Sequence, residues 1–154
     1  MSRLSYAIAA AVVLLDQLSK AWALAHLAGR GVMPLLPGLL QQRLVFNTGA
    51  AFSMLEGNAA GLGLVSALVA IGLVLWIQTA GTMSRWQSTG MGLLLGGAIG
   101  NGPDRWRLGS VVDFLEFVPI AFPVFNVADV AINLAVACLV IDLLRRGSHE
   151  RRHR

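Results

Sequence analysis

The segment Ala59–Ile77, AAGLGLVSALVAIGLVLWI, runs for nineteen residues without a charged side chain. A helix of about 20 apolar residues is long enough to cross a bilayer, so this segment predicts a membrane span. The whole chain has the same character, because 56% of its 154 residues are hydrophobic and only 13% are charged. A soluble domain carries about 25% charged residues. We therefore expect an integral membrane protein.

Apolar segments of similar length predict four spans in a single membrane domain, residues 1–154. The spans cover about 4–27, 59–78, 89–103 and 123–144, with outer loops at 28–57 and 104–122 and a cytoplasmic tail at 145–154. Asp16, Gln17 and Lys20 interrupt the first segment, so we expect a retained helix rather than a cleaved signal peptide. The third span is rich in glycine, which lets neighbouring helices approach closely.

The distribution of basic residues predicts the orientation of the chain. Five of the twelve are arginines within the last ten positions, and positive charge concentrates in short cytoplasmic segments. Both termini are therefore predicted in the cytoplasm and the two longer loops on the outer face. The tail also accounts for the net charge of +4, so no nucleic acid is expected as a partner. In the first outer loop, residues 39–46 predict a short strand that leads into an Asn47-Thr48-Gly49 turn.

Asp129 is an acid inside a predicted span. A charge near the centre of a span costs at least about 2.5 kcal/mol, and a neutral Asn would fill a structural role at lower cost, so a functional role is favoured. Counted from the start of its span, Asp129 lies roughly 9 Å below the outer end at 1.5 Å per residue. Its spacing places it on one helical face with Asn126 and Asn133, and we expect that face to meet protein or water.

Asp113 is the second candidate acid, in an apolar run at the outer edge of the membrane. No Lys or Arg lies between Leu108 and Leu144, so neither aspartate has a basic neighbour in sequence. Two such carboxylates can share one proton, which raises one pKa while the partner stays ionised. The ionised carboxylate can take a proton from water, and the protonated one can hydrogen-bond a carbonyl oxygen. The pair would suit an aspartyl hydrolase, although Asp113 alone is equally compatible with a helix cap.

Other polar residues of the spans have simpler interpretations. Asp16 and Lys20 lie one helical turn apart, and they either pair or extend toward the interface. A serine/lysine mechanism is disfavoured because Ser19 points about 100° away from Lys20 on a helix. Cys138 has the apolar neighbours of a packed side chain. The three histidines and single cysteine lack zinc-ligand spacing, so no metal and no other cofactor is expected.

Five short motifs follow one another from residue 16 to residue 129. They are Asp16-Gln17-Leu18-Ser19-Lys20, Asn47-Thr48-Gly49-Ala50-Ala51-Phe52, Gly100-Asn101-Gly102-Pro103-Asp104-Arg105, Val112-Asp113-Phe114 and Phe125-Asn126-Val127-Ala128-Asp129. In this order, and with four predicted spans, the chain resembles the signal peptidase II family, the membrane aspartyl proteases that process bacterial lipoproteins. The resemblance covers nearly the whole chain.

The resemblance implies an all-α integral membrane fold of four transmembrane helices, with a small extracytoplasmic β cradle in the first outer loop and a short periplasmic helix within Trp106–Phe122. It implies that Asp113 and Asp129 form the catalytic dyad. Residues that bind substrate or support the site are implied to be Asp16, Lys20, Asn47, Gly49, Asn101, Asp104, Arg105 and Asn126.

The implied substrate is a diacylglyceryl-modified prolipoprotein, which is cut just before its lipidated cysteine. We accordingly expect a monomer in the bacterial inner membrane, surrounded by lipid, with its active site toward the periplasmic or outer face.

Two rival functions fit part of the sequence. A small proton-coupled transporter or channel subunit also places acids and amides in its spans, but it predicts polar groups along a whole pore, and Ser66 is the only polar side chain of Ala59–Ile77. A structural membrane scaffold would tolerate Asn in place of Asp113 or Asp129. We therefore favour a membrane aspartic endopeptidase.

Overall fold

The structure, a computed structural model, describes residues 2–49 and 57–152, with side chains up to residue 146 in the second range. It contains four long helices and one small sheet. The helices are α1 (Ser2–Leu27), α2 (Ala59–Thr79), α3 (Arg85–Arg107) and α4 (Val127–Arg152), and the strands are β1 (Met33–Leu36), β2 (Leu40–Asn47) and β3 (Val111–Phe117).

Three of the four helices in the described ranges are long and apolar enough to cross a membrane. These are α1, α2 and residues 127–146 of α4. Large apolar side chains such as Leu15, Leu68 and Leu143 are well exposed on their outer faces. A lipid-facing surface has this composition, because hydrocarbon is the favourable solvent for such side chains. The protein is therefore embedded in a membrane through apolar helices.

Helix α3 packs against each of the other three helices, and its glycines make this possible. A Cβ at Gly96 would lie 2.6 Å from the Cβ of Val12 on α1, and one at Gly97 would lie 2.5 Å from Cγ1 of Ile132 on α4. Real side-chain atoms do not approach so closely, so the two helix contacts require residues without a Cβ. The predicted close approach through glycine is confirmed.

The bounds of α3 differ from those expected for the third span. The helix begins at Arg85, after Ser84, whose side chain accepts the N–H of Gln87 at 3.0 Å. It continues through Pro103 to Arg107, although we expected an end near residue 103. Proline removes one backbone donor, but the last turn is closed by the N–H of Leu108 on the carbonyl of Asp104 at 2.7 Å.

The sheet has the order β1-β2-β3, and both pairs are antiparallel. The predicted strand over residues 39–46 is confirmed as β2. Its pairing with β3 matches Val45 with Asp113 and Asn47 with Val111. Since diagonal neighbours on one face of a sheet lie within side-chain reach, this register brings Asn47 to Asp113.

The prediction of a short periplasmic helix within Trp106–Phe122 is wrong. Between α3 and α4 the described chain has no helix; it turns at Gly109, with φ at +70°, and forms β3. The strand is rich in Val and Phe, which favour extended backbone, and the edge of β2 supplies its partner. Val112 and Phe114 are buried, and Phe114 packs against the end of α1.

Helix α4 begins at Val127 rather than near residue 123. The preceding Phe125 extends the sheet instead, because its N–H and carbonyl bond to the backbone of Leu115 at 2.8 and 2.9 Å. Asp129 is therefore in the first turn of α4. The expected depth of roughly 9 Å below the start of the helix, at 1.5 Å per residue, is wrong.

Candidate active site

Both candidate aspartates lie where the sheet meets the ends of α3 and α4. Asp113 is in the middle of β3 and is only 1% exposed, so the alternative of a helix cap is wrong. Asp129 is partly exposed in the first turn of α4. A burial difference of this kind leaves one carboxyl group shielded while the other can meet water.

Asn126 links the two carboxyl groups. Its Nδ2 donates to Oδ1 of Asp113 at 2.7 Å, and its backbone N–H donates to Oδ2 of Asp129 at 3.1 Å. Its Oδ1 accepts the backbone N–H of Asp129 at 3.0 Å. This reciprocal pair is a capping box with Asp in the third helical position, so the start of α4 and the placement of the two acids have a common cause.

Two further asparagines complete the hydrogen bonds of the dyad candidates. Asn47 Nδ2 donates to Oδ2 of Asp113, and Asn101 Nδ2 donates to Oδ1 of Asp129, each at 2.9 Å. Each of the four carboxylate oxygens thus accepts one N–H bond. Asn133, which we expected on the same face, lies one helical turn from Asp129. Its side chain donates to the backbone carbonyl of Asp129 at 2.9 Å rather than to a carboxyl group.

The environment of Asp113 favours its protonated form. The pKa of Asp113 is raised to about 6, chiefly by burial and then by the negative charge of Asp129, while the hydrogen bonds from Asn47 and Asn126 oppose the rise. A buried carboxyl beside a second carboxylate is the arrangement in which two acids hold one proton between them.

A buried ion cluster lies directly behind the aspartates. Lys20 is 3% exposed, and its Nζ lies 2.8 Å from Oδ2 of Asp16 and 2.8 Å from Oδ2 of Asp104. It also donates to Asn101 Oδ1 at 2.8 Å and to the Gly100 carbonyl at 3.1 Å. The predicted pairing of Asp16 with Lys20 is confirmed, and the alternative extension to the interface is wrong.

The ion cluster also holds α1 to the start of α4. Oδ1 of Asp16 accepts the backbone N–H of Ala128 at 2.9 Å, one residue before Asp129. Ser19 donates to the carbonyl of Asp16 at 2.9 Å rather than turning toward Lys20, which agrees with the rejection of a serine/lysine pair. The first span therefore supports the site through buried polar contacts.

Arg105 connects the end of α3 to the residues after β2. Its Nη2 donates to the carbonyl of Gly49 at 2.9 Å, and its Nη1 is buried without a hydrogen-bond partner in the described part of the chain. Gly49 belongs to the motif that runs from Asn47 to residue 52, and residues 50–52 of that motif lie outside the described residues. Within the described ranges, no group of three or more His, Cys, Asp or Glu side chains could hold a metal ion.

A family model described as signal peptidase (SPase) II matches residues 8–145. The chain belongs to the signal peptidase II family. Its relatives include the lipoprotein signal peptidases of Synechococcus sp. (strain RCC307), 53% identical over 90% of this chain and 92% of that protein, and of Parasynechococcus marenigrum (strain WH8102), 52% identical over 88% and 86%. A solved bacterial membrane enzyme superposes with a TM-score of 0.87 at 29% identity, over 94% of this chain and 90% of that chain.

Membership of the signal peptidase II family makes this chain an aspartic peptidase, and it decides against the transporter and scaffold alternatives. Sequence reasoning did miss Gln17 as a neighbour of the site. Its Nε2 donates to the Gly100 carbonyl at 3.1 Å and to Oδ2 of Asp16 at 3.2 Å. The available signal was a polar side chain next to Asp16 inside an apolar helix, where an unpaired amide would be costly.

Proposed function

We propose that Asp113 and Asp129 are the catalytic dyad of this signal peptidase II, and that the enzyme cleaves diacylglyceryl-modified prolipoproteins just before the lipidated cysteine. The observation that carries the dyad is the double role of Asn126, which donates one hydrogen bond to each carboxyl group. Two acids joined in this way can act as one unit with one shared proton. The names of the curated relatives support the class of substrate.

The ionised aspartate takes a proton from water while the water oxygen bonds to the scissile carbonyl carbon. The protonated aspartate gives its proton to the carbonyl oxygen, where negative charge develops. When the C–N bond breaks, the first aspartate passes its proton to the leaving amine, and the second recovers a proton as the carbonyl reforms. Arg105 Nη1, buried without a partner in the described ranges, is available to a peptide carbonyl.

We infer that α3 is a fourth span, in addition to the three apolar ones. Its own sequence is less apolar because glycines and the polar residues 101–105 replace large hydrophobic side chains. It needs little lipid-facing surface, since α1, α2 and α4 all pack against it.

The proposed location is the bacterial inner membrane, with both termini in the cytoplasm and the dyad toward the outer face. Asp129 is at one end of α4, and Arg145 and Arg146 are near the other. Since positive charge favours the cytoplasmic side, the dyad end faces outward. We propose a monomer in contact with membrane lipid, since one chain supplies both carboxyl groups and the asparagines that bind them.

Cleavage of a diacylglyceryl-modified prolipoprotein by purified protein tests this function. Asp113→Asn and Asp129→Asn should each lower the rate by about 1,000-fold or more, because general acid–base catalysis contributes about 10²–10⁴-fold. Asp142→Asn is the matched control, since Asp142 is a buried acid at the other end of α4, and it should keep the wild-type rate. Wild-type rates from folded dyad variants would disprove the dyad. A wild-type enzyme inert on this substrate would disprove the substrate.

A further inference from the structure

The asparagine amides around the dyad are each oriented by a group that can only donate. These donors are Lys20 Nζ for Asn101 at 2.8 Å, the Asp129 N–H for Asn126 at 3.0 Å, and the Gly49 N–H for Asn47 at 3.0 Å. An ammonium group or a backbone N–H cannot accept a hydrogen bond, so the amide oxygen rather than the amide nitrogen must face it. The Nδ2 of each asparagine is thereby directed at an aspartate.

Lys20 has little freedom to release Asn101. Its Nζ has four oxygen acceptors within 2.8–3.1 Å and three protons to share among them. Asp16 and Asp104 anchor it electrostatically, and their two negative charges outweigh its single positive charge. The charge of Lys20 also acts directly on Asp113 and Asp129, and that of Asp16 opposes it at Asp129. The contact of Lys20 with the dyad runs through the Asn101 amide, whose orientation gives Asp129 Oδ1 an N–H donor at 2.9 Å.

The hydrogen bonds of the two aspartates differ in kind. Within the described ranges, Asp113, on a strand, accepts from the side-chain amides of Asn47 and Asn126. Asp129 accepts from Asn101 and also from a backbone N–H at the N-terminus of α4, where the helix dipole favours negative charge. The environment of Asp129 is therefore the better one for a carboxylate.

The charged groups facing Asp129 come from three elements. They are Asp16 and Lys20 on α1, Arg105 on α3, and Asp113 on β3. The geometry points to Lys20 as a positioning residue that acts through Asn101 to keep Asp129 as the base of the dyad, with the shared proton on Asp113. This inference rests on the proposed function, and it adds a division of roles between the two acids.

The pH dependence of kcat/KM for prolipoprotein cleavage tests the inference. Asn101→Ala should move the acid limb to higher pH by about one unit, because a hydrogen bond to a charged group contributes about 1.5 kcal/mol. Asn47→Ala should instead move the alkaline limb, since it removes a donor to Asp113. Arg43→Gln, an exposed position on β2, should move neither limb.

Lys20→Met is combined with Asp104→Asn, so that fewer buried charges lose their partner. This double variant should shift the acid limb in the same direction as Asn101→Ala. The triple variant that combines all three substitutions should shift the limb no further than Asn101→Ala alone. Full additivity, or an unchanged limb, would overturn the role of Lys20. A shift of the acid limb by Asn47→Ala instead of Asn101→Ala would reverse the roles of the aspartates.

A second measurement needs no activity and separates the two proposals. In an Asp113→Asn background, the infrared band of protonated Asp129 is isolated by difference against the same protein with Asp129→Asn. Asn101→Ala and the Lys20→Met/Asp104→Asn pair should each make this band appear at higher pH, with no added effect when combined. If the band appears at the same pH in the variants as in the background protein, the inference is overturned even if wild type cleaves the prolipoprotein. If the band appears at higher pH, the inference is supported even if that substrate is wrong.

Discussion

Both ends of the helical bundle bury aspartates, but Asp142 at the tail end and the proposed dyad at the other end are held by different partners. At the tail end, Asp142 pairs with Arg146 at 2.8 Å, one helical turn away on α4, and accepts a hydrogen bond from Ser84. At the dyad end, the N–H donors to Asp113 and Asp129 in the described part of the chain are asparagine side chains and the backbone N–H of Asn126. The two sites lie about 20 Å apart along α4 at 1.5 Å per residue.

If the proposed dyad is catalytic, this difference separates a structural acid from the two acids that carry out the chemistry. The guanidinium of Arg146 gives Asp142 a positively charged partner at 2.8 Å, which balances the charge of a carboxylate. The asparagine amides at Asp113 and Asp129 are neutral, so they hold the two carboxyl groups in place without balancing a charge. A carboxyl that must gain and lose a proton in each cycle requires the second environment.

Among variants that leave both proposed catalytic acids in place, the largest effect is expected from Asn126→Ala, which removes the side-chain contact joining them. The variant leaves Asp113 with the Asn47 bond and removes the cap of α4, so kcat should fall by about 100-fold or more, with a stability loss of about 1 kcal/mol from the cap. Cleavage kinetics and thermal unfolding measure the two effects. Asn133→Ala is the control, since the Asn133 side chain donates to the backbone carbonyl of Asp129 rather than to its carboxyl group. Equal kinetics for the two variants would contradict the role given to Asn126.

The stability of the protein should depend on pH through Asp113. Its pKa is raised from 3.8 to about 6 in the folded chain, so the folded state binds the proton more tightly than the unfolded state. The resulting stabilisation is complete below about pH 4 and lost as pH rises through about 6, a change of about 3 kcal/mol.

Thermal unfolding midpoints measured across this pH range test the prediction. Asp113→Asn should flatten the profile, whereas Asp142→Asn should leave its slope between pH 4 and 6 intact. A profile for Asp113→Asn as steep as that of wild type would assign the pH dependence to another group.

Much of this architecture could be predicted from the sequence, because uninterrupted apolar segments specify helices locally. The two aspartates could also be identified as candidates from local sequence, since no Lys or Arg lies near either of them in the apolar segments that contain them. The identity of β3 could not be read in the same way. Its residues become a strand because β2 offers an edge, and the backbone pairing of Phe125 with Leu115 in turn delays the start of α4.

The partners of Lys20 show the same limit within the site. Its contact with Asp16 follows from helical spacing, but those with Asn101 and Asp104 join residues more than 80 positions apart. Only the packing of α3 on α1 through glycine creates them. Long-range packing therefore determines the polar network, while local pattern determines the helices.

A smaller effect should follow from Gly97→Ala, at the contact between α3 and α4. The new Cβ would lie 2.5 Å from Ile132 Cγ1 and 2.9 Å from the carbonyl of Ala128, so α4 must shift at a cost of about 1–3 kcal/mol. Gly72→Ala is the control, because nothing lies within 4 Å of its Cβ position. Thermal unfolding should separate the two, and equal stability would contradict the requirement for close packing.

The smallest effect is expected from Arg146→Gln at the tail end. The Arg146 side chain is 53% exposed, so water and ions already screen its pair with Asp142, and the loss should stay below about 1 kcal/mol. Arg43→Gln, which breaks an exposed pair with Glu116 near the dyad end, should cost equally little by the same thermal unfolding assay. Asp142 keeps its bond to Ser84 and can take up water where the guanidinium was. A loss above about 2 kcal/mol for Arg146→Gln alone would show that Asp142 depends on its cation as a fully buried acid does.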